Sequence, residues 1–336
     1  MKAFRIEDLG GPEGLKPAEL PEPTLGVGEV AVRVRATSLN FRDLMVVKGI
    51  YNPKIGLPAV PLSDGAGEVA AVGLGVSRFK VGDRVAAAFM PGWISGPAIE
   101  ANAKSALGAG GIGMLAETAV LPETGLVAIP EHLSFEEAAT LPCAAVTAWH
   151  ALVSEGKIKA GDTVLTLGTG GVSLFALQFA KMHGAKVIAT SGSDEKLAKV
   201  RALGASETIN YKTTPEWDKA VLKLTGGQGV DHVVEVGGAG TLSRSLRALR
   251  AGGSLSLIGV LTGGSAEVNI LPVLMKNLRV QGIFVGSRAM FEEMNKAIAL
   301  HKTKPVIDKV FSFDQAAEAY RYMESAAHFG KIVIRL

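Results

Sequence analysis

The chain of 336 residues has a single cysteine, Cys143, which excludes an intrachain disulfide and a structural zinc site built from cysteines. Its six histidines lack the spacing of metal ligands, and no G-x-S-x-G motif marks a serine nucleophile. No uninterrupted apolar run of about 18 residues indicates a membrane-spanning helix. The first residues lack the apolar segment of a secretory signal, so we expect a cytoplasmic protein.

The chain also has little excess of positive over negative charge. The formal net charge of +3 is spread along the chain without a basic run, so neither a nucleic acid nor a membrane surface is an expected partner. Hydrophobic residues make up 48% of the chain, enough for a large buried interior, and the length suits two domains.

One stretch organises the chain. An apolar run of strand length begins at Val164, breaks at the glycines of Gly168-Thr-Gly170-Gly-Val-Ser173, and continues with helical spacing up to Gly184. Gly168 permits a tight turn, and Gly170 lets the backbone approach a pyrophosphate at the helix N-terminus. Ser173 stands where the third glycine of a G-x-G-x-x-G motif would pack the helix on the strand. A strand joined to a helix by a merely flexible turn is the alternative interpretation.

From about residue 145 the pattern is regular α/β and predicts a doubly wound parallel sheet of six strands, the Rossmann fold. The predicted strands are 163–167, 186–190, 207–210, 231–236, 254–258 and 278–284, and the predicted helices are 171–183, 194–203, 214–224 and 239–250.

The first part of the chain is rich in short β segments with glycine turns, which favours a small barrel-like domain. A short helix is predicted within 39–51, and Ser134 begins a capping box. Residues 90–115 are rich in glycine without periodicity and are expected to form a long surface loop, a candidate mobile lid. The final strand, up to Leu336, is expected to close the first domain. The domains are thus 1–144 with 285–336, and 145–284.

The end of the second Rossmann strand bears on the cofactor, because an acid there binds the ribose 2′-hydroxyl of NAD. Here Ser191 occupies that position, and Lys196 follows with a charge that can pair with phosphate. This favours NADP(H) over NAD. The alternative is that Ser191 is only a turn residue and Lys196 a solvated helix lysine.

Together, these motifs resemble the medium-chain dehydrogenase/reductase superfamily, and in particular its zinc-independent members similar to NADPH:quinone reductases. The motifs that carry the resemblance extend over nearly the whole chain: Asp64-Gly-Ala-Gly-Glu68, Val81-Gly-Asp-Arg-Val85, Leu141-Pro-Cys-Ala-Ala-Val-Thr-Ala-Trp149, Gly168-Thr-Gly-Gly-Val-Ser173 and Leu203-Gly-Ala-Ser-Glu-Thr-Ile-Asn-Tyr211. The resemblance implies a GroES-like, β-barrel-type catalytic domain beside the Rossmann domain. It also implies a homodimer joined along the sixth strands, around Val280–Val285.

The zinc-dependent members differ at the metal. They have a cysteine where this chain has Asn40 and a histidine where it has Ser63, and only Cys143 matches a ligand position. One thiolate cannot hold catalytic zinc, so no metal is expected. Without such a Lewis acid, oxidation of simple alcohols is disfavoured.

The resemblance places Asn40, Asp43 and Tyr51 in the catalytic cleft, with Tyr51 as the best proton donor and Asn40 as a neutral hydrogen-bonder. A helix cap, a surface acid and a loop aromatic are the alternatives, and solvent could supply the proton. Residues that could form apolar walls, or equally the core, are Met45, Tyr51, Phe89, Met90 and Trp93. The cofactor-binding residues implied by the resemblance are Asn40, Thr147, Gly168, Thr169, Gly170, Gly171, Val172, Ser191, Lys196, Tyr211, Ile258, Gly259, Val260, Phe284, Val285 and Gly286.

The function expected from the sequence is metal-free, NADPH-dependent hydride transfer to a small-molecule quinone or α,β-unsaturated carbonyl (enone). Reduction of such an electrophile mainly requires alignment, exclusion of water and a donor near the developing oxyanion. Two alternatives stay open: an alcohol dehydrogenase-like enzyme acting on alcohols or aldehydes, and an NADPH-binding scaffold or redox sensor without significant turnover.

Overall fold

The computed structural model describes all residues, 1–336, and the chain divides into two compact units. Met1–Val146 and Gly286–Leu336 form the first, here called the β domain, and Thr147–Val285 form the second, the Rossmann domain. The boundaries expected from the sequence were 144/145 and 284/285. None of the helices is both long and apolar enough to cross a membrane.

The first part of the β domain consists mainly of strands. Its strands are β1 (Lys2–Ile6), β2 (Leu15–Glu19), β3 (Glu29–Leu39), β4 (Asp64–Val72), β5 (Arg84–Ala87), β6 (Thr118–Pro122) and β7 (Leu126–Ala128). Its helices are α1 (Phe41–Val47), α2 (Glu100–Ala103) and α3 (Phe135–Ala138). Helix α1 follows Asn40 and ends near Gly49, whose φ of 72° requires glycine or strain, as the sequence predicts. Ser134 accepts a hydrogen bond from the backbone N–H of Glu137, which confirms the predicted capping box.

The Rossmann domain begins within a helical segment that contains α4 (Val146–Trp149). Its strands are β8 (Thr163–Leu167), β9 (Lys186–Ser191), β10 (Glu207–Asn210), β11 (Val230–Glu235), β12 (Leu249–Leu257) and β13 (Arg279–Gly282). Its remaining helices are α5 (Gly171–Met182), α6 (Asp194–Ala202), α7 (Trp217–Leu224), α8 (Leu242–Ala248) and α9 (Leu271–Met275). All six predicted strands are present, in the parallel order β10-β9-β8-β11-β12-β13 of a doubly wound sheet.

The C-terminal segment returns to the β domain with α10 (Arg288–His301), β14 (Ile307–Ser312), α11 (Ala316–Glu324) and β15 (Lys331–Arg335). Strand β15 pairs with β3 in antiparallel fashion and with β14 in parallel fashion. The resulting sheet has the order β14-β15-β3-β4-β5-β7, with β6 also paired to β3. The final strand therefore completes the first domain, as expected from the sequence.

Residues 90–115 differ from the expected surface loop. They contain the short helix α2, and Trp93, Leu107 and Met114 are each at most 2% exposed. Asn102 fixes the segment by accepting a hydrogen bond from the Ile99 N–H and donating one to the carbonyl of Gly92. The exposed residues of the segment are 92, 94–101, 103–104 and 110–112. The sequence did not predict the burial of Trp93, Leu107 and Met114, because each is a single apolar side chain and not part of a periodic apolar face.

Candidate functional site

The glycine turn of the Rossmann domain joins β8 to α5. Gly168 has a φ of 73°, a left-handed conformation that glycine adopts without strain. Ser173, 2% exposed, donates a hydrogen bond of 2.6 Å to the carbonyl of Leu167. Serine in the third motif position therefore ties the first turn of the helix to the end of the strand.

The same turn leaves its backbone open to a ligand. No protein atom lies within 4 Å of the place where a Cβ on Gly168 or Gly170 would stand. Gly170 precedes α5, and Gly171 and Val172 are its first residues, so unpaired backbone N–H groups are available beside a surface without side chains. Thr169, between the two glycines, is 7% exposed. These features fit the diphosphate of a dinucleotide.

The end of β9 brings Ser191, Gly192 and Tyr211 together. The backbone N–H of Tyr211 donates to the carbonyl of Ser191, and a Cβ on Gly192 would stand 2.8 Å from the Tyr211 hydroxyl. Ser191 is 4% exposed, whereas Tyr211 is 44% exposed. Lys196 lies half-buried in the first turn of α6. The predicted 2′-phosphate residues thus belong to one local region of the domain.

The nearby acid that would oppose a phosphate is held by an amide. Asn210 donates a hydrogen bond of 2.7 Å to the carboxylate of Asp194, the first residue of α6. This contact orients the acid towards the β10 side, as its predicted place in the first helical turn allows.

A second loop of the Rossmann domain is fixed by Glu235, which is fully buried at the end of β11. One carboxylate oxygen accepts hydrogen bonds from the backbone of Gly237 and Gly238 and from the Thr241 hydroxyl, and the other accepts one from the Ser245 hydroxyl. Four donors satisfy the buried charge.

The predicted cofactor residues after β12 lie against this loop. The backbone N–H groups of Ile258 and Gly259 both donate to the carbonyl of Glu235, and a Cβ on Gly259 would stand 2.4 Å from the Val236 carbonyl oxygen. Val260 is 46% exposed. Glycine is required at 259 because the two backbones touch.

The last predicted cofactor segment follows β13. Strand β13 ends at Gly282, two residues before the predicted end, and Phe284 is 45% exposed. Val285 has a φ of 54°, an unusual conformation for a β-branched residue, and its carbonyl is 2.7 Å from Nδ1 of His150. Burial lowers the pKa of His150, so the neutral ring donates this hydrogen bond. Gly286 belongs to the β domain, while Thr147, 3% exposed, lies at the start of the Rossmann domain.

The β domain contains a buried polar cluster around Asn40, at the start of α1. The side-chain oxygen of Asn40 accepts a hydrogen bond of 2.6 Å from Nζ of Lys331, which also donates at 2.6 Å to the carbonyl of Leu39. Lys331 is 3% exposed and Asn40 9% exposed. The amide nitrogen Nδ2 of Asn40 is buried and makes no hydrogen bond within 3.5 Å, but the Asn40 side chain interacts with the carboxyl of Asp64 and lowers its pKa.

Asp43 is buried and binds the backbone of Asn40, so it does not face a substrate. It is 1% exposed, with one carboxylate oxygen 2.8 Å from the backbone N–H of Asn40 and the other 3.2 Å from the Arg42 guanidinium. Burial raises the pKa of Asp43, although Arg42 and the Asn40 N–H oppose this. Asp43 is thus the reverse cap of α1, and the Asn40 side chain remains free of the capping role that the sequence allowed it.

Asp64, at the start of β4, is the second buried carboxylate of the cluster. Its oxygens accept hydrogen bonds from the Ser63 hydroxyl at 2.8 Å and the Cys143 backbone N–H at 3.2 Å. Burial raises its pKa from 3.8 to about 6, while Lys331 lowers it, as do the Asn40 and Ser63 side chains to a smaller extent. Burial also raises the pKa of the Cys143 thiol, and Asp64 raises it further. Cys143 is therefore a neutral thiol and not a reactive thiolate.

Arg42 connects the cluster to the anchored segment 90–115. Its guanidinium donates a hydrogen bond of 2.7 Å to the carbonyl of Leu107. It also lies between two aromatic rings, 4.8 Å from the centroid of Tyr51 and 5.0 Å from that of Phe89. Tyr51 is half-buried at this position. Of the other proposed wall residues, Met45 is half-buried, whereas Phe89, Met90 and Trp93 are each 2% exposed and belong to the core.

The side chains of the cluster do not fit a catalytic zinc ion. No group of three or more His, Cys, Asp and Glu side chains is placed to hold a metal. The Cys143 thiol is protonated, and two of the charged side chains near it, Lys331 and Arg42, are cations that would repel a dication.

Sequence reasoning missed four residues of these sites: Arg42, Asp64 as an ionisable group, Glu235 and Lys331. Glu235 had a visible signal, an acid ending a buried apolar strand before two glycines. Lys331 begins the apolar strand Lys331-Ile-Val-Ile334, but its partner Asn40 is 291 positions away. No local pattern reveals such a pairing.

A Rossmann domain with an open glycine turn, joined to a separate β domain, defines a nucleotide-dependent oxidoreductase. Two family models match the chain: the alcohol dehydrogenase GroES-like domain at residues 26–131 and the zinc-binding dehydrogenase domain at residues 171–300. The chain belongs to the medium-chain dehydrogenase/reductase superfamily, and its expected fold and family are confirmed.

Relatives cover essentially the full chain. A zinc-type alcohol dehydrogenase-like protein of Schizosaccharomyces pombe is 47% identical over 98% of this chain and 97% of its own. A quinone oxidoreductase of Rattus norvegicus is 32% identical over 100% and 98%.

Solved structures agree with the fold. An NAD-dependent alcohol dehydrogenase is 39% identical, with a TM-score of 0.92 and full coverage of both chains. The Escherichia coli quinone oxidoreductase complexed with NADPH is 26% identical, with a TM-score of 0.86 and full coverage of both chains. These relatives support a nicotinamide cofactor for the family. Their names differ in the substrate, alcohol or quinone, and in the cofactor, NAD or NADPH.

Proposed function

We propose that this oxidoreductase is a metal-free, NADPH-dependent reductase of quinones or α,β-unsaturated carbonyl compounds. The observation that carries the proposal is the neutral amide of Asn40, held through its oxygen by Lys331 at the position where zinc-dependent members have a cysteine. When hydride adds to an enone or quinone, negative charge develops on the carbonyl oxygen, and a fixed donor stabilises it. The donor set around Asn40 suits this task and does not suit zinc.

NADPH, when bound, supplies the hydride. Residues Gly168–Val172 would hold its diphosphate through the open turn and the N-terminus of α5. Ser191, Lys196 and Tyr211 would hold the 2′-phosphate. The carboxylate of the neighbouring Asp194 accepts a hydrogen bond from Asn210. This arrangement supports NADP(H) because no carboxylate stands at the end of β9 to bind the 2′-hydroxyl of NAD.

Tyr51 is the side chain best suited to supply the proton. Its ring is held over the Arg42 guanidinium and is half-exposed. A phenol in this position can protonate the enolate or hydroquinone anion, with solvent as the alternative source. Asp43 is withdrawn from this role, since both of its oxygens are engaged within the domain.

The first experiment compares NADPH and NADH oxidation by protein of known metal content, with a quinone, an enone and an aldehyde as acceptors. Turnover of the quinone or enone by zinc-free protein, with preference for NADPH, is the expected result. Turnover only of the aldehyde, lost after treatment with a chelator, would instead support the alcohol dehydrogenase alternative. NADPH binding without turnover of any acceptor would support a scaffold or sensor.

The cofactor preference has its own matched pair of variants in α6. Lys196→Ala should raise the KM for NADPH about tenfold or more and leave that for NADH nearly unchanged. Lys199→Ala, on the same helix and paired with Glu195 on the surface, should change neither. Equal effects of both variants would show that Lys196 is only a surface residue.

We also propose a homodimer joined along β13. This strand ends the six-stranded sheet, all four of its residues are exposed, and its outer backbone groups have no neighbouring strand. Exposed apolar side chains occur in this strand and in the chain just before and after it: Ile270, Leu271, Leu274, Met275, Val280 and Phe284. A second copy pairing β13 with β13 would cover both the edge and the apolar surface.

Sedimentation equilibrium tests the dimer. We expect a dimer for the unchanged chain and a monomer for the double variant Val280→Lys with Leu274→Lys. A control variant, Leu74→Lys, changes an apolar side chain of the β domain that is even more exposed than Leu274 and Val280, and it should stay dimeric. A monomeric unchanged chain would refute the proposal.

A further inference from the structure

The topology of the Rossmann sheet determines the direction in which a bound dinucleotide extends. Its strands are parallel, so the turns that follow β8, β9 and β13 all lie at one edge of the sheet. The glycine turn follows β8, and Ser191 ends β9 on one side of it. With the adenosine half over β9, the nicotinamide half extends over the ends of β11, β12 and β13. We therefore expect the turn after β13 to lie within reach of the nicotinamide.

This turn is anchored on both sides of one exposed residue. The backbone N–H of Ile283 donates a hydrogen bond of 2.9 Å to the carbonyl of Leu257, at the end of β12. The carbonyl of Val285 lies 2.7 Å from Nδ1 of His150. Ile283 and Val285 are each 5% exposed, whereas Phe284 between them is 45% exposed. The backbone of the turn is thus fixed while its middle residue faces outward.

Val285 has a backbone conformation that valine avoids. Its φ of 54° lies in the left-handed region, where a β-branched side chain crowds the backbone. Such outliers persist only where the surrounding structure enforces them, and they cluster at ligand-binding and catalytic sites. The hydrogen bond from His150 fixes the carbonyl of this residue. The strain and the contact that holds it occur together at the edge where the cofactor is expected.

His150 is placed for this contact. It is 8% exposed and begins the π-helical continuation of α4, His150–Glu155. π-Helical turns are rare and occur frequently at functional sites. Burial lowers the pKa of His150 despite the hydrogen bond to Val285, which keeps the ring neutral near neutral pH. A carbonyl only accepts hydrogen bonds, so the proton of the neutral ring is on Nδ1.

We propose that His150 is a positioning residue for the nicotinamide end of the cofactor. Its hydrogen bond holds Val285 in the left-handed conformation, and this conformation gives the turn after β13 the shape that receives the nicotinamide. His150 acts through Val285 and does not itself touch the cofactor. The identity of the ligand as a nicotinamide dinucleotide is that of the proposed function, on which this inference rests.

The experiment compares two ligands that differ in the nicotinamide alone. Calorimetry gives the Kd of NADPH and of 2′-phospho-ADP-ribose, which keeps the diphosphate and the 2′-phosphate but has no nicotinamide. His150→Leu removes the donor, whereas His150→Asn keeps an N–H group near the place of Nδ1. We expect His150→Leu to raise the Kd of NADPH about tenfold and that of 2′-phospho-ADP-ribose by less than about twofold. His150→Asn should bind NADPH within about threefold of the unchanged chain.

Val285→Gly tests whether the histidine acts through the strained residue. Glycine adopts a φ of 54° without strain, so it depends less on the hydrogen bond. In the Val285→Gly background, His150→Leu should raise the Kd of NADPH by no more than about threefold. An undiminished effect in that background would show that His150 does not act through Val285 and would overturn the inference.

Ser256→Ala is a matched control for damage to the same helical segment. The hydroxyl of Ser256 on β12 donates a hydrogen bond of 3.3 Å to the carbonyl of Ala151, the residue after His150. Ser256 is 6% exposed, so loss of this contact should lower stability in denaturant unfolding and leave both Kd values nearly unchanged. A rise in the Kd of NADPH equal to that in His150→Leu would overturn the inference, because any loosening of the segment would then suffice.

The same measurements separate this inference from the proposed function. NADPH binding that depends on His150, without turnover of any acceptor, refutes the reductase alone. The same dependence seen for NADH and not for ADP-ribose refutes only the preference for NADPH. Equal effects of His150→Leu on NADPH and 2′-phospho-ADP-ribose, or no effect on either, overturn the inference alone. Failure to bind any of these compounds overturns both.

Discussion

The buried carboxyl of Asp64 should give this protein an unusual dependence of stability on pH. Asp64 is fully buried, and burial raises its pKa from 3.8 to about 6. Lys331, Asn40 and Ser63 oppose the shift, while Asp43 adds to it. In the folded chain the carboxyl is therefore neutral in mildly acidic solution, where the unfolded chain already carries it as an anion.

The direction of the effect follows from proton binding. Between the two pKa values the folded state holds a proton that the unfolded state has released, so stability from this group decreases as pH rises. The contribution is fully present below pH 3.8 and is lost as pH passes through about 6. Between about pH 4.5 and pH 7.5 the shift corresponds to about 2 kcal/mol of unfolding free energy, because one pKa unit equals about 1.4 kcal/mol.

The perturbation is Asp64→Asn, which keeps the shape but cannot ionise. The amide oxygen can still accept from the Cys143 N–H, and the amide nitrogen can donate to the Ser63 hydroxyl, which rotates. Denaturant unfolding of both proteins at several pH values gives the difference in free energy. The stability of Asp64→Asn relative to the unchanged chain should increase by about 2 kcal/mol from about pH 4.5 to pH 7.5. A difference that stays constant or changes in the opposite direction would show that Asp64 is ionised throughout.

Three further substitutions test the packing around both sites by denaturant unfolding. Arg42→Met should destabilise the fold by about 3–5 kcal/mol, because Asp43 would be left as a buried charge without its guanidinium partner; a loss below about 1 kcal/mol would contradict this. Glu235→Ala should cost at least about 1–3 kcal/mol and weaken cofactor binding, since the four donors around the carboxylate lose their acceptor; unchanged binding would show that the loop is held by other contacts. Ser134→Ala should cost about 1 kcal/mol through the lost cap, with activity retained.

The Rossmann domain could be predicted closely because its signals are local. Predicted strand 163–167 matches β8 residue for residue, and Ser173 packs as a small residue must at the third motif position. Errors occurred where tertiary pairing decides the boundary. The helix predicted to reach 250 ends at Ala248, because Leu249 begins β12 and pairs with Val230.

The buried cluster could be predicted only in part. Asn40 was found as a candidate, but the sequence could not distinguish a helix cap from a substrate-facing amide. The distinction depends on Asp43 providing the cap and on Lys331 binding the amide oxygen. Helix α1 follows β3, and Lys331 arrives from β15, so the arrangement exists only once the sheet has formed. Long-range pairing, and not residue type, determines which group each end of the amide meets.

The composition of the cluster limits the chemistry that it can support. Oxidation of an alcohol requires a Lewis acid or a base to remove the hydroxyl proton. Asp43 is bound to the Asn40 N–H and Arg42, and Asp64 is bound to Ser63 and the Cys143 N–H, so neither carboxylate is free to act as that base. The remaining polar groups of the proposed site are the neutral amide of Asn40 and the phenol of Tyr51, which are hydrogen-bond donors. A site that offers donors and no strong base suits an acceptor that is already electrophilic, and for that reason we place a quinone or enone ahead of an alcohol.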